Sequence, residues 1–350
     1  MSKPKSRRNF LTLSAGAIGA TLILQNGLKG NSATSFDPTT EIIAKRNRPR
    51  AAKIPVILDT DIGGDIDDAW ALALLLKSPE LDLKMLLTDT GNPQYRGAVA
   101  GKYLEAAGRT DIPIGLGIYE NDGTGPQESW LGDYKISDYP GPVYKEGVVA
   151  MIEMIMASPE PITLICIGPV PNIKAALEIE PRIVNNVKIK AMLGSLRYGY
   201  DGNSEITQET NVRLNPDACR KMLEAFPDIT ITPLDTCGIV YLRDRKYRKV
   251  RSSQDALIRT LIESYDSWAE HVDWTKVDPN VKSSTLFDMV AVYLTLSEEY
   301  VEMENLGIRV TDDGYTLIDE NAKVIRCATA WKNLPAFEDW LVRRLLSSSK

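Results

Sequence analysis

Five aspartates lie within ten residues in the segment Asp59–Asp68. Carboxylates placed this close together repel one another strongly unless a cation lies between them. Carboxylate oxygens are the donors that Ca²⁺ and Mg²⁺ prefer, whereas zinc and copper sites favour nitrogen and sulfur donors. Gly63 and Gly64 allow the backbone of the segment to turn sharply. The segment therefore predicts a binding loop for a hard divalent cation.

Three other interpretations of this acidic loop compete with this one. A solvated turn that caps the next helix needs one aspartate, not five. An EF-hand needs Glu at its twelfth position, but that position, counted from Asp59, is Trp70. A haloacid-dehalogenase-type phosphatase shares the pattern of Asp59 and Asp61, although Gly63 stands where that family has Thr or Val. The phosphatase interpretation stays open on these residues alone.

Apolar strand-like runs alternate with segments of helical periodicity from residue 54 onward. The predicted strands are 54–60, 82–89, 112–117, 162–168, 187–193, 229–234, 306–311, 315–318 and 324–331. The predicted helices are 67–77, 94–107, 143–156, 172–179, 254–272, 285–296 and 334–346. This order predicts a Rossmann-like α/β domain over 54–350, with a mainly parallel sheet covered by helices on both faces. Ligands of such sheets bind beyond the carboxyl ends of the strands, where the acidic loop lies.

The segment Asp59–Ala69 resembles the signature of the inosine-uridine nucleoside hydrolase family. Four further motifs follow in that family's order: Thr90-Gly91-Asn92, Ile167–Asn172, Asn203 with Glu209–Asn211 and Asn215–Ala218, and Leu286-Phe287-Asp288. The resemblance covers residues 54 to 340, roughly the whole predicted domain. It implies hydrolysis of the N-glycosidic bond of ribonucleosides to ribose and free base.

The resemblance also implies a ligand set and a reaction. Asp61, Asp68, Asp288 and the main-chain carbonyl of Ile167 would bind Ca²⁺, and Asp61 would act as general base toward a water. Attack by water without a covalent intermediate implies inversion at the anomeric carbon. Asp59 would support the ligands, while Asp65 would only shape the loop.

The substrate contacts follow from the same resemblance. Asp67 would hold the ribose 2′-hydroxyl, Asn92 and Asn211 would orient the ribose, and Asn203 and Glu209 would hold its 5′-hydroxyl. Aromatic side chains would line the base site, with Trp268 and Phe287 as candidates and Tyr265 and Trp274 nearby. Taken singly, these residues have ordinary explanations: Asn92 could close a turn and Asp288 could stabilise a helix terminus.

One position departs from the family pattern. Well-studied members place a His before the late aspartate as the acid for the leaving base, and this chain has Phe287 there. Three explanations remain: stacking of a purine base between aromatics, proton donation by His271 or Tyr265, or a ribosyl substrate with a better leaving group. The departure also leaves two alternative functions, a hydrolase of a non-nucleoside ribosyl compound and a calcium-containing nucleoside- or ribose-binding protein without turnover.

Charge and the N-terminus bear on partners and location. The chain has a formal net charge of −6 and no basic tract, which argues against nucleic acid as a partner. Residues 1–33 read as a twin-arginine-type signal peptide, with Arg7 and Arg8 before a short apolar run, and 34–53 read as a linker. We therefore expect an exported, periplasmic or extracellular protein that leaves the membrane after cleavage. The family resemblance suggests a homodimer or homotetramer. The four cysteines form no metal-binding pair, and buried free thiols are expected.

Overall fold

A computed structural model describes residues 52–348 of the chain. Ala51–Lys350 separates from the residues before it as the second of two units, and the sheet, helices and site described below belong to this second unit. The predicted signal peptide and nearly all of the predicted linker lie outside the described residues. No helix among residues 52–348 has the length and apolar character needed to cross a bilayer.

The centre of the second unit is a ten-stranded sheet. Its strands are β1 (Ile54–Thr60), β2 (Leu81–Thr88), β3 (Ile114–Gly115), β4 (Val143–Tyr144), β5 (Ile162–Cys166), β6 (Val187–Met192), β7 (Ile229–Thr232), β8 (Val301–Val310), β9 (Thr316–Ile318) and β10 (Val324–Trp331). They are ordered β4-β3-β2-β1-β5-β6-β7-β10-β8-β9. All neighbours from β4 to β10 are parallel, while β8 is antiparallel to β10 and β9 to β8. The predicted mainly parallel sheet is confirmed.

The direction of the strand order reverses at β1. The chain passes from β1 outward through β2, β3 and β4, and then returns to pair β5 with the other side of β1. In this register Asp59 lies opposite Leu87 of β2 and Cys166 of β5. The carboxyl ends of these three strands therefore lie side by side at a topological switch point, the usual ligand site of such sheets.

Helices cover both faces of the sheet. They are α1 (Asp67–Leu76), α2 (Pro93–Ala106), α3 (Glu128–Leu131), α4 (Gly147–Ala157), α5 (Pro171–Ile179), α6 (Thr210–Leu214), α7 (Pro216–Ala225), α8 (Leu234–Cys237), α9 (Asp244–Arg251), α10 (Ala256–His271), α11 (Met289–Leu296) and α12 (Leu334–Leu345). Side chains of β1 alternate between two cores: Val56 and Leu58 pack with α1, α2, α10, α11 and α12, and Ile57 packs with α4, α5 and α7. All four cysteines are buried free thiols, as predicted.

Two predicted helix starts are wrong, each because tertiary pairing keeps the chain extended. The helix predicted from Val143 begins at Gly147, since the carbonyls of Pro142 and Tyr144 accept hydrogen bonds from β3 and the residue after it. The helix predicted from Thr285 begins at Met289, because Leu286 N–H donates to the Val240 carbonyl. The second correction has a consequence for the site, since it places Asp288 directly at the N-terminus of α11. The sequence did not predict five of the helices, namely α3, α6, α7, α8 and α9.

Candidate active site

The acidic loop leaves β1 at Thr60 and enters α1 at Asp67. Gly63 adopts φ +102°, a conformation that favours glycine, and a Cβ there would meet the Tyr95 ring at 2.7 Å. The Tyr95 hydroxyl donates to the Gly63 carbonyl at 3.0 Å. The Trp268 indole N–H donates to the Gly64 carbonyl at 3.1 Å. Two glycines and two aromatic donors thus fix the turn that delivers the aspartates.

Three buried carboxylates converge at the end of this loop. Asp67 and Asp68 stand in the first turn of α1, and Asp288 precedes α11. One oxygen from each lies within 4.8 Å of the others, and each residue is at most 5% exposed. This trio (Asp67, Asp68 and Asp288) supplies only hard oxygen donors, which suits a cation such as Ca²⁺ or Mg²⁺.

The electrostatics of the trio call for positive charge. Burial raises the pKa of all three carboxyls well above the ordinary range, and repulsion from neighbouring aspartates, Asp61 among them, raises it further. A bound divalent cation would lower these pKa values again, because its positive charge would pair with the carboxylates where water cannot reach them. The donor chemistry and the burial therefore fit a resident metal held by the trio.

Asp61 lies beside the trio rather than within it. Its side chain is partly exposed, and it shares a hydrogen bond with Asp68 that lowers its pKa. Burial still raises the pKa of Asp61 overall, against the lowering effect of Arg96. The Thr60 hydroxyl donates to Asp68, which orients that carboxylate. The structure thus groups Asp67 most tightly with Asp68 and Asp288, whereas the family resemblance assigns Asp61 to the ligand set and Asp67 to the ribose.

A second layer of polar groups lies beneath the loop. Asn172 donates to Asp59 Oδ1 at 2.8 Å and to the Thr88 carbonyl at 2.9 Å, and Asp89 Oδ2 accepts from Val170 N–H at 2.8 Å. Asp59 Oδ2 and Asp89 Oδ1 are buried without a partner among the described residues. Burial raises the pKa of Asp59 to about 7 and that of Asp89 well above its usual range. Two protonatable acids thus lie close to Asp61.

Sequence reasoning missed Asp89 and Asn172 as site residues. A signal for Asp89 existed, because it follows the buried strand β2 at the same sheet edge as the acidic loop. Asn172 stood inside one of the recognised motifs, but its contact with Asp59 spans 113 positions of sequence and is set only by the pairing of β1 with β5.

The main chain of Ile167 lies next to Asp59 and Asn211. Its N–H donates to the Asp59 carbonyl at 2.9 Å, and its carbonyl accepts from Asn211 Nδ2 at 3.2 Å. Asn211 Nδ2 also donates to the Met192 carbonyl at 3.1 Å. Each carbonyl has two lone pairs, so the Ile167 oxygen keeps one for a further partner. Asn211 thus joins the ends of β5 and β6. The role of the Ile167 carbonyl as a calcium ligand and that of Asn211 in orienting the ribose stay predictions.

Three predicted substrate contacts have local partners in the structure. Glu209 caps α6, and its carboxylate accepts N–H bonds from Gly194, Asn211 and Val212 at 2.7–3.2 Å. The Asn92 side chain caps α2 by accepting hydrogen bonds from the N–H groups of Gln94 and Tyr95. Asn203 is exposed, and its side chain accepts a hydrogen bond from Glu205 N–H. Ribose binding by these residues remains a prediction.

The aromatic candidates occupy different environments. Trp268 is completely buried, so its ring supports the loop from inside the core. Phe287 is partly exposed and meets the Tyr200 ring edge to face at 5.8 Å between centroids. Tyr200, which sequence reasoning missed, accepts a hydrogen bond from Thr210 N–H beside Glu209. Phe287 and Tyr200 therefore form an aromatic pair that joins the Asp288 side of the site to the start of α6.

The two alternative proton donors, Tyr265 and His271, form hydrogen bonds with main-chain carbonyls outside the trio. Tyr265 is fully buried, and its hydroxyl donates to the Lys282 carbonyl at 3.1 Å. His271 is exposed, and its Nδ1 lies 2.7 Å from the Ser267 carbonyl. Trp274, 56% exposed, contacts Trp268 at a T-shaped angle.

Comparison with known proteins identifies the family. The model of the inosine-uridine preferring nucleoside hydrolase family matches residues 56–338. A probable uridine nucleosidase 2 of Arabidopsis thaliana is 28% identical over 307 residues, which cover 80% of this chain and 90% of that protein. The non-specific ribonucleoside hydrolase RihC of Klebsiella pneumoniae (strain 342) is 30% identical over 192 residues, covering 52% of this chain and 62% of that protein.

Solved structures agree with this fold. The plant nucleoside hydrolase PpNRh1 superposes with a TM-score of 0.70 at 22% identity, covering 84% of this chain and 99% of that one. A purine-preferring ribonucleoside hydrolase from Gardnerella vaginalis gives a TM-score of 0.69 at 22% identity, covering 83% and 98%. The family model spans most of the chain, including every motif of the site. This chain belongs to the inosine-uridine preferring nucleoside hydrolase family and is an N-glycosyl hydrolase of metal-dependent type.

Proposed function

We propose that the chain hydrolyses the N-glycosidic bond of ribonucleosides with Ca²⁺ as its metal, giving ribose and free base. The observation that carries this proposal is the trio of buried carboxylates with Asp61 hydrogen-bonded at its edge. Asp67, Asp68 and Asp288 would hold the cation, with the Ile167 carbonyl nearby as a neutral ligand. Calcium is favoured over magnesium because it accepts six to eight oxygen ligands in flexible geometry.

Asp61 would take the proton from the attacking water. When bound, the cation supplies a lowered pKa for a water in its coordination sphere. Asp61 is partly exposed and adjoins Asp68, so its carboxylate can reach such a water and remain open to substrate. Attack from this side, with departure of the base on the other, gives inversion at the anomeric carbon. The surrounding carboxylates stabilise the positive charge that develops on the sugar.

Departure of the base would depend on the aromatic pair of Tyr200 and Phe287. The hydroxyl of Tyr200 is engaged with Thr210, Tyr265 is buried, and His271 faces Ser267. These contacts favour stacking of a purine, or a ribosyl substrate with a good leaving group, over proton donation by a side chain. The ribosyl substrate with a good leaving group is proposed because Phe287 has no acidic proton to donate to a leaving base.

Location and assembly complete the proposal. We propose an exported, periplasmic or extracellular enzyme, on the basis of Arg7, Arg8 and the apolar run that follows them. A homodimer or homotetramer is proposed from the family resemblance. Light scattering of the purified protein and N-terminal sequencing of the secreted form test these two points.

The experiment measures ribose release from a panel of purine and pyrimidine nucleosides, with calcium or with chelator. Wild type is compared with Asp61→Ala and with Glu153→Ala, which removes an exposed carboxylate on α4. We expect calcium-dependent release by wild type and by Glu153→Ala, and loss of release in Asp61→Ala. Calcium-loaded wild type that cleaves no nucleoside would overturn the nucleoside claim, and binding without cleavage of any ribosyl compound would favour the binding-protein alternative.

A further inference from the structure

Arg96 of α2 links the two loops that form the site. Its Nε donates to the Thr90 carbonyl at 2.9 Å, and its Nη1 donates to the Ile62 carbonyl at 3.1 Å. Ile62 belongs to the acidic loop after β1, and Thr90 belongs to the turn after β2. A single guanidinium therefore fixes the spacing between these two loops, over 34 positions of sequence in one case and six in the other.

Both loops pack against this side chain. A Cβ on Gly64 would stand 3.6 Å from Arg96 Nη1, and one on Gly91 would stand 3.5 Å from Nη2. Thr90 and Gly91 both adopt the left-handed conformation, with φ of +47° and +63°. Because that conformation is unfavourable for threonine, it persists only where surrounding contacts hold it. The hydrogen bond from Arg96 to the Thr90 carbonyl is one such contact, and Gly91 N–H to Glu120 is another.

The charge of Arg96 acts on the carboxylates without occupying them. It lowers the pKa of Asp61, Asp68 and Asp89, against the larger effect of burial. Yet its nitrogens form no ion pair with a carboxylate of residues 52–348; the hydrogen bonds they make go to main-chain carbonyls. The oxygens of Asp68 thus stay available to a cation, and those of Asp61 to a water. An arginine paired directly to them would compete with the metal instead.

We propose that Arg96 is a positioning residue that sets the geometry of the calcium site by tying the Asp61 loop to the Thr90–Asn92 turn. This inference rests on the proposed calcium dependence. The planar fork of Arg96 offers each carbonyl its own nitrogen at a fixed spacing, whereas a lysine would have to reach both carbonyls from one ammonium nitrogen. The role is geometric rather than electrostatic, because a cation next to the site by its charge alone opposes binding of Ca²⁺.

Two substitutions separate geometry from charge. Arg96→Lys keeps the charge and loses the fork, while Arg96→Gln removes the charge and keeps one donor group. Calcium affinity is measured by titration calorimetry on the metal-free protein, and melting temperature with and without calcium. Arg109→Lys, at a partly exposed arginine paired with Asp111, is the matched control.

We expect both Arg96 variants to bind calcium about 10–100-fold more weakly than wild type, the usual range for residues that orient metal ligands. The calcium-induced rise in melting temperature should shrink in both, while Arg109→Lys retains it. A purely structural role would instead lower the melting temperature equally with and without calcium.

The outcomes distinguish this inference from the proposed function. Wild type that binds calcium, together with Arg96→Lys of unchanged affinity, overturns the role of Arg96 alone. Tighter binding by Arg96→Gln would show that charge dominates and would likewise overturn it. Wild type that binds no calcium overturns the proposed metal and this inference together. If Arg96→Lys does not fold, the Arg96→Gln affinity decides the matter.

Discussion

Removing one charge from the trio should change the stability of the protein in opposite directions without and with calcium. Asp288→Asn preserves the size of the side chain and its capacity to hydrogen-bond with Asp67, while it removes one buried negative charge. In metal-free protein this substitution should stabilise the fold, because it relieves repulsion among buried carboxylates. In the presence of calcium it should destabilise the protein relative to wild type, because a ligand is lost.

The magnitude follows from the separation of the oxygens. Two unit charges at 4.8 Å repel by about 3.5 kcal/mol at an effective dielectric constant of ~20. Asp288 faces both Asp67 and Asp68, but the raised pKa values mean that bound protons already relieve part of this repulsion. We therefore expect a net gain of about 1–3 kcal/mol in the free energy of unfolding of the metal-free protein. That gain corresponds to a rise in melting temperature of roughly 2–6 °C.

The assay is thermal unfolding in chelator and in calcium, with Asp235→Asn as the matched control. Asp235 is also a buried carboxylate, but it accepts two main-chain N–H bonds at 2.9 Å and lies outside the trio. Asp235→Asn should lower the melting temperature and leave the calcium response intact. The reasoning is refuted if Asp288→Asn melts at or below wild type in chelator, or if it keeps the full calcium-induced rise.

Three further predictions concern the general base Asp61, the pH dependence of stability, and the acidic loop. Asp61→Asn should lower kcat by about 10²–10⁴-fold with a calcium-induced stabilisation still present, and kinetics within tenfold of wild type would contradict the assignment. Burial in the folded protein raises the pKa of Asp59 to about 7. The contribution of Asp59 to stability is therefore present below about pH 4 and is lost as the pH rises toward 7. Metal-free protein should melt at a lower temperature at pH 7 than at pH 5, and a melting temperature that does not change with pH would contradict this prediction. Trp268→Phe removes the donor to the Gly64 carbonyl and should lower the free energy of unfolding by about 1–3 kcal/mol, and unchanged chemical denaturation would show that this hydrogen bond contributes nothing.

Sequence alone identified the strand and the loop that carry the acidic cluster. The apolar run Ile54–Thr60 and the acids after it identified β1 and the loop, because a buried parallel strand is a continuous apolar segment. The motifs placed Asp59 and Ile167 at the ends of two predicted strands, and the structure shows that these strands, β1 and β5, are neighbours. These are features of chain order and strand pattern.

The composition of the trio was beyond the sequence. Asp61 and Asp67 are both near Asp68 in the chain, and only the start of α1 at Asp67 decides which carboxylate turns toward Asp288. The role of Arg96 could not be predicted from the sequence either, because its partners are main-chain carbonyls, which every residue type has. Trp268 shows the limit of periodicity: its spacing on α10 identified a helix face but not that the face is buried beneath the Gly64 turn.

The most direct test of calcium-dependent hydrolysis is a calcium titration of metal-free protein that follows heat of binding and ribose release in parallel. We predict one calcium per chain, with activity rising from the metal-free baseline in proportion to occupancy and the same midpoint for both signals. Ribose release that is already complete before calcium is added, or full calcium occupancy with no release from any nucleoside, would contradict the proposed function.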